Sequence, residues 1–164
     1  MSARHLITTV LVGATLLVCS PGTCFALPPA AQSVDVAVVV NANNPLADVS
    51  MVELRKMFAG EKHSWPRGLT IKLIVRTPGC HERLVLLRLL GMSESEYKQY
   101  WAAAVFRGDA SSEPVAVFSN GMQKEAIVAI PGAIALVDSP DVKPGMKVVK
   151  VAGHLPGEPG YLLH

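Results

Sequence analysis

Residues 76–83, Arg-Thr-Pro-Gly-Cys-His-Glu-Arg, gather the side chains of this sequence best suited to chemistry. Two chemistries fit them. Cys80 at the start of a helix is a candidate thiolate nucleophile, because a helix N-terminus lowers the pKa of a thiol. The same residues also suit the holding of an anion. First-turn amides of a helix have no intrahelical acceptor, and the macrodipole adds roughly half a positive charge beside them. Gly79 lets the backbone come close, Thr77 and Cys80 offer small polar groups, Arg76 offers a bidentate fork, and His81 adds a donor when protonated.

Either chemistry needs a strand that ends at Arg76 and a helix that begins after Cys80. The β-branched run Thr70–Val75 reads as that strand, and residues 81–90, closed by Gly91, read as that helix. Around them strand and helix signals alternate. Val34–Val40 is a β-branched run ending at the turn cluster Asn41–Leu46. Ser50 and Glu53 form a capping-box pattern ahead of Leu54, Met57 and Phe58, and Gly60 stops that helix. Ser93 and Glu96 repeat the pattern ahead of a Tyr97, Tyr100, Trp101, Ala104, Val105 stripe that reads as core, and Gly108 ends it. Val115–Phe118 is a further strand, Ser119 or Asn120 caps a helix through Ile130, and Ala133–Val137 and Lys147–Val151 are two more strands. Apolar strands separated by helices imply an α/β fold, a mostly parallel sheet with helices on both faces. Ligands in such sheets lie at the strands' carboxyl ends. That rule adds Asn41, Ser119 and Asn120 to Arg76, Thr77, Gly79, Cys80, His81 and Arg83 as candidate ligand-binding residues.

Residues 1–26 read differently. Arg4, the apolar run Leu6–Val18 and the small residues Cys24 and Ala26 describe a secretory signal peptide cut before Leu27. The run is too short to span a bilayer core, and Val18 and Thr23 poorly suit lipidation at Cys19 or Cys24. Residues 27–152 then form one exported, periplasmic domain, and 153–164 a loosely held Pro/Gly-rich tail. Cutting removes Cys19 and Cys24, leaving Cys80 without an intramolecular partner. A formal net charge of +2, which includes Arg4, gives no electrostatic footprint for nucleic acid. The histidines show no ligand spacing for a metal, and no cofactor is indicated.

The segment VVVNANNPLADVSMVELRKMFAGEKHSWPRGLTIKLIVRTPGCHERLVLLRLLGMS resembles the small phosphate transporter substrate-binding-protein-like family, of the type II periplasmic binding protein class. That family's Asn-x-x-Asn-Pro turn, Ile-Phe-x-Gly helix end, Trp-x-x-Gly link and Arg-x-x-Gly-Ser-x-x-Arg loop match Asn41 to Pro45, Met57 to Gly60, Trp65 to Gly68, and Arg76 to Arg83. A late Pro-Gly-Ala-Ile-Gly-Tyr-Val matches Pro131 to Val137, and the likeness covers residues 36–152. Cys80 replaces the loop's Ser, while Ala135 and Leu136 replace Gly and Tyr. The resemblance implies one lobe of a type II periplasmic binding protein, no enzyme, and a tetrahedral oxyanion such as phosphate at the Arg76 loop. It implies service to phosphate uptake or sensing, with a membrane transporter, a sensor or a second copy of the chain as partner. Glu82, the acid in the loop, reads as an outward-facing first-turn residue that suits the dipole. If it faces the ligand instead, it would accept the proton that phosphate carries and sulfate lacks.

Two rival readings stay open. Thr77 and Cys80 resemble a thiol peroxidase pattern, but Leu73 stands where that pattern has Pro, and no Arg follows Arg107 to hold a peroxide. A periplasmic interaction module with no small ligand is the other.

Overall fold

The computed structural model describes residues 34–164, so the signal peptide read at 1–26, its cut before Leu27, and Cys19 and Cys24 lie outside the described residues. Six strands form one sheet: β1 (Val36–Asn41), β2 (Asp48–Val49), β3 (Lys72–Arg76), β4 (Val115–Val117), β5 (Ala133–Asp138) and β6 (Met146–Val151), in the order β2-β6-β1-β5-β3-β4. Four helices accompany them: α1 (Met51–Phe58), α2 (His81–Leu90), α3 (Glu94–Arg107) and α4 (Asn120–Ala129). The pairs β2·β6, β3·β4 and β3·β5 are parallel, whereas β1 runs antiparallel to both β5 and β6. Five strands therefore share one direction, and the fold is a mixed α/β sheet, mostly parallel.

Helices cover both faces. Val36, Val38 and Val40 of β1 pack on one side with Leu54, Met57 and Phe58 of α1, Val85, Leu86 and Leu90 of α2, and Tyr97 and Trp101 of α3. Ala37 and Val39 pack on the other with Ile127 of α4. The period-2 alternation of a strand thus feeds two cores from one segment, and every residue of β1 is buried. Each such buried aliphatic side chain contributes about 1.5–3 kcal/mol of transfer free energy. Tyr97 and Trp101 are core residues; Tyr100 donates its hydroxyl to Ala59 O at 2.7 Å, and Val105 turns outward.

Local signals place the helix ends. Ser50, Ser93 and Ser119 accept hydrogen bonds from the backbone N–H of Glu53, Glu96 and Met122, and Ser93 with Glu96 completes a reciprocal capping box. Cys80 caps α2 without a hydrogen bond from a helix amide to its side chain. Trp65 is buried and donates Nε1 to Gly132 O at 3.0 Å. A Cβ at Gly132 would fall 2.0 Å from Thr70 O, so only glycine permits β3 and β5 to begin this close together.

The C-terminal segment is held, not loose. Tyr161 and Leu163 are buried in the larger core, Tyr161 donates its hydroxyl to Val36 O at 2.7 Å, and Val36 N–H donates to Leu163 O at 2.8 Å. Two apolar anchors, not the Pro/Gly content around them, decide the tail's state. Among the described residues no helix is long and apolar enough to cross a membrane.

Candidate functional site

Three neighbouring strands of one direction, β3, β4 and β5, end at Arg76, Val117 and Asp138, so their carboxyl ends share one edge of the sheet. Arg76 sits opposite Val117, and Thr77 N–H donates to Val117 O at 3.2 Å. Gly79 then turns the chain with φ of 91°, in the left-handed region that favours glycine, and Cys80 starts α2. Ser119 caps α4 at the same end, and Asn120 donates its amide to Asp141 in the turn after β5. The structure therefore places Arg76, Thr77, Gly79, Cys80, His81, Ser119 and Asn120 at one end of the sheet, with α2 on one face and α4 on the other.

It does not bring Asn41 to them. Because β1 runs against its neighbours, Val36 pairs with Asp138 while Val40 pairs with Ile134, and the carboxyl end of β1 lies at the opposite edge of the sheet. There the Asn41 amide donates to Ile127 O and Val128 O at 2.9 and 3.0 Å, satisfying carbonyls at the end of α4. Arg83 is also elsewhere. Its guanidinium makes a paired contact to Glu94, at 3.0 and 2.9 Å, and stacks over Tyr97 with 3.8 Å to the ring centroid. It joins α2 to α3 beneath the surface.

Arg76 is the cation left at the site. Its side chain is only 10% exposed, Nη2 donates to Cys80 Sγ at 3.5 Å, and Nε and Nη1 have no hydrogen-bond partner among the described residues. Buried donors of this kind cost about 1–3 kcal/mol each when unsatisfied. Its nearest acid is Glu82, whose Oε1 lies 3.7 Å from Nε, beyond hydrogen-bonding range. The reading of Glu82 as an outward-facing residue is corrected here: it is 4% exposed, on the inner stripe of α2 with Leu86 and Leu90. Burial pushes the Glu82 carboxyl above the ordinary carboxylate range, its own backbone N–H pulls it back, Asp138 and Asp141 repel its charge, and Arg76 opposes them. His81, the first residue of α2, places Nδ1 2.8 Å from Asp138 Oδ1.

Sequence reasoning missed Asp138 and Asp141 at this edge. Both follow the last apolar residue of β5, but only the register of that strand brings them beside α2. Glu82 carried a readable signal, since residues 82, 86 and 90 repeat at four-residue spacing and two of them are leucines.

The described residues contain no group of three His, Cys, Asp or Glu side chains placed to hold a metal ion. No curated protein is significantly similar to the chain in sequence. Among solved structures it resembles an ABC-type phosphate transport receptor from Vibrio cholerae, with a TM-score of 0.61 and 19% identity over 75% of this chain and 48% of that one. It also resembles PstS from Borrelia burgdorferi, at 0.57 and 15% over 75% and 49%, and a phosphate binding protein from Stenotrophomonas maltophilia, at 0.55 and 20% over 75% and 40%. At these identities the likeness is one of fold, and the chain spans about half the length of the structures it matches or less. The model of the PBP superfamily domain matches residues 31–162, and the chain belongs to that family.

Proposed function

We propose that this domain binds a phosphate-like oxyanion at the N-terminus of α2, as an exported, periplasmic, single-lobe relative of the phosphate receptors it resembles. The observation that carries the reading is Arg76: a guanidinium whose buried Nε and Nη1 have no hydrogen-bond partner among the described residues, beside a helix start whose cap side chain bonds no amide. A charged donor on the strand end and the first-turn amides of the next helix are the groups that suit a tetrahedral anion. Thr77 and Cys80 lie between them in the chain, and a thiol, a weaker donor than a hydroxyl, leaves most of the work to the amides and Arg76.

Affinity is modest on this reading, because Glu82 lies 3.7 Å from Arg76, and Asp138 and Asp141 are near enough to act on the Glu82 charge. A membrane transporter, a sensor or a second copy of the chain would cover the site and serve phosphate uptake or sensing. Calorimetry with inorganic phosphate tests the core of the proposal. Arg76→Ala should weaken binding by about 1.5–3 kcal/mol, the worth of a charge-assisted hydrogen bond. No heat from the wild type at roughly 10 mM phosphate, the range of about 3 kcal/mol, would reject it.

The second reading, an interaction module without a small ligand, is favoured by Phe118, which is 74% exposed beside the site, and by the exposed Met122 one turn into α4. Export has its own test. Intact mass of protein recovered from the periplasm should correspond to a chain beginning at Leu27, and a retained Met1 would sink it.

A further inference from the structure

Arg76 already faces a negative charge from its own chain. Glu82 approaches it from the inner side of α2, with side-chain exposures of 10% for Arg76 and 5% for Glu82. Behind the pair lies a gap of about 10 Å³ closed by Phe58 of α1, Leu86 of α2 and Leu136 of β5. The carboxylate therefore has no inward space to retreat into, and apolar walls leave its charge poorly screened. The other charged groups that bear on it are Asp138 at the end of β5 and Asp141 in the following turn, both negative, and His81 on its own helix, tied to Asp138. An oxyanion set on the α2 amides beside Arg76 would meet Glu82 at close range, with two further carboxylates beyond.

Resting on the anion reading above, we infer that Glu82 is the site's resident counter-ion, which an oxyanion replaces opposite Arg76 while the Glu82 carboxylate takes up a proton from solution. The balance is simple. The free site holds a guanidinium and a carboxylate; the loaded site holds a guanidinium, an anion and a neutral carboxylic acid, with one proton drawn from solvent. In the acid form Glu82 becomes a donor, so the group that repelled the anion now hydrogen-bonds it. Burial of Glu82 prepares this exchange, since it raises the carboxylate's affinity for a proton above the ordinary range before any anion arrives. Anion capture then strengthens as pH falls, and the domain takes its ligand most readily in a mildly acidic medium.

Sulfate is the probe, because it stays fully ionised from pH 5 to pH 8 and contributes no titration of its own. The full chain is titrated calorimetrically across that range as wild type, Glu82→Gln and His81→Gln, in buffers of differing ionisation enthalpy. Wild-type affinity should rise at least about tenfold from pH 8 to pH 5, with proton uptake approaching about one per anion. Glu82→Gln, which keeps the shape and removes the charge, should bind at pH 8 as well as the wild type binds at pH 5. His81→Gln removes the imidazole as an alternative site of proton uptake and should keep the pH dependence at lower overall affinity. Wild-type binding that is flat with pH, or a pH dependence that survives in Glu82→Gln and vanishes in His81→Gln, would overturn the inference and leave the anion site standing. Absence of sulfate binding in all three proteins at every pH would overturn the inference, and the phosphate titration above decides the anion site on its own.

Discussion

Arg76 and Arg83 stand at the two ends of one short turn, Arg83 buried and Arg76 partly so, and they are held in opposite ways. Arg83 has two short hydrogen bonds to a single carboxylate and an aromatic face beneath it. Arg76 has a carboxylate at 3.7 Å, a thiol sulfur at 3.5 Å, and two nitrogens with no hydrogen-bond partner among the described residues. The partner of Arg83 is 30% exposed, so that pair keeps some hydration, while the partner of Arg76 is 5% exposed and loses nearly all of it. Burying a charge is offset only when its hydrogen bonds are made. The α2–α3 junction meets that condition and the edge of the sheet does not. The comparison separates a guanidinium that secures the fold from one held ready for something else.

Removing the satisfied arginine should have the largest effect. Arg83→Ala breaks a buried bidentate pair and leaves a cavity over Tyr97, and should lower unfolding free energy by about 3 kcal/mol. Partial exposure of Glu94 keeps the figure at the low end of such losses. Urea denaturation reads it, and phosphate affinity of the remaining folded protein should stay within about twofold, or about 0.4 kcal/mol. A loss below about 1 kcal/mol together with lost phosphate binding would reverse the roles assigned to the two arginines.

The unsatisfied pair should respond with the opposite sign. Replacing Arg76 by Met and Glu82 by Leu together removes two desolvated charges from an apolar surround of Phe58, Leu86 and Leu136. Such replacements are often neutral or stabilising by about 1–4 kcal/mol, and about 1 kcal/mol is expected here. The same double variant should bind no phosphate. Destabilisation by more than about 2 kcal/mol would mean that the pair supports the fold as the Arg83 pair does.

What the sequence disclosed follows the same divide. Serine caps at 50, 93 and 119, the glycine stops at 91 and 108, and the limits of α2 were legible because they depend on a few adjacent residues. The direction of β1 was not. A strand buried on both faces has the same apolar pattern whichever way it runs, so Asn41 was assigned to the wrong edge of the sheet while its amide closes α4. The partners of Arg83 and Arg76 were equally hidden, since a sequence marks an arginine without saying which acid lies across from it. The Arg76 turn itself was legible as an anion-facing candidate, but the acids around it, Glu82, Asp138 and Asp141, became neighbours only through the docking of α2 on β5.

The smallest effect, and the finest test of the contrast, lies in the pH dependence of stability. Glu94 is pulled below its ordinary value of 4.5 by its hydrogen bonds with Arg83, against a lesser opposing effect of burial. A depressed carboxylate contributes stability that is present above its unfolded value and is lost as pH falls through the folded value. Glu82 is shifted upward from the same 4.5, burial being the main cause. Its contribution has the other sign: fully present below the unfolded value, and lost as pH rises through the folded one. Acidification from neutrality should therefore relieve Glu82 before it harms Glu94. Urea unfolding from pH 3 to pH 7 should show Glu82→Gln gaining on the wild type as pH climbs above 4.5, and the cost of Arg83→Ala shrinking as pH drops below it. A constant difference between Glu82→Gln and wild type over that range would mean that the Glu82 carboxylate is as well solvated in the fold as in the unfolded chain, and the distinction between the two arginines would lose its electrostatic basis.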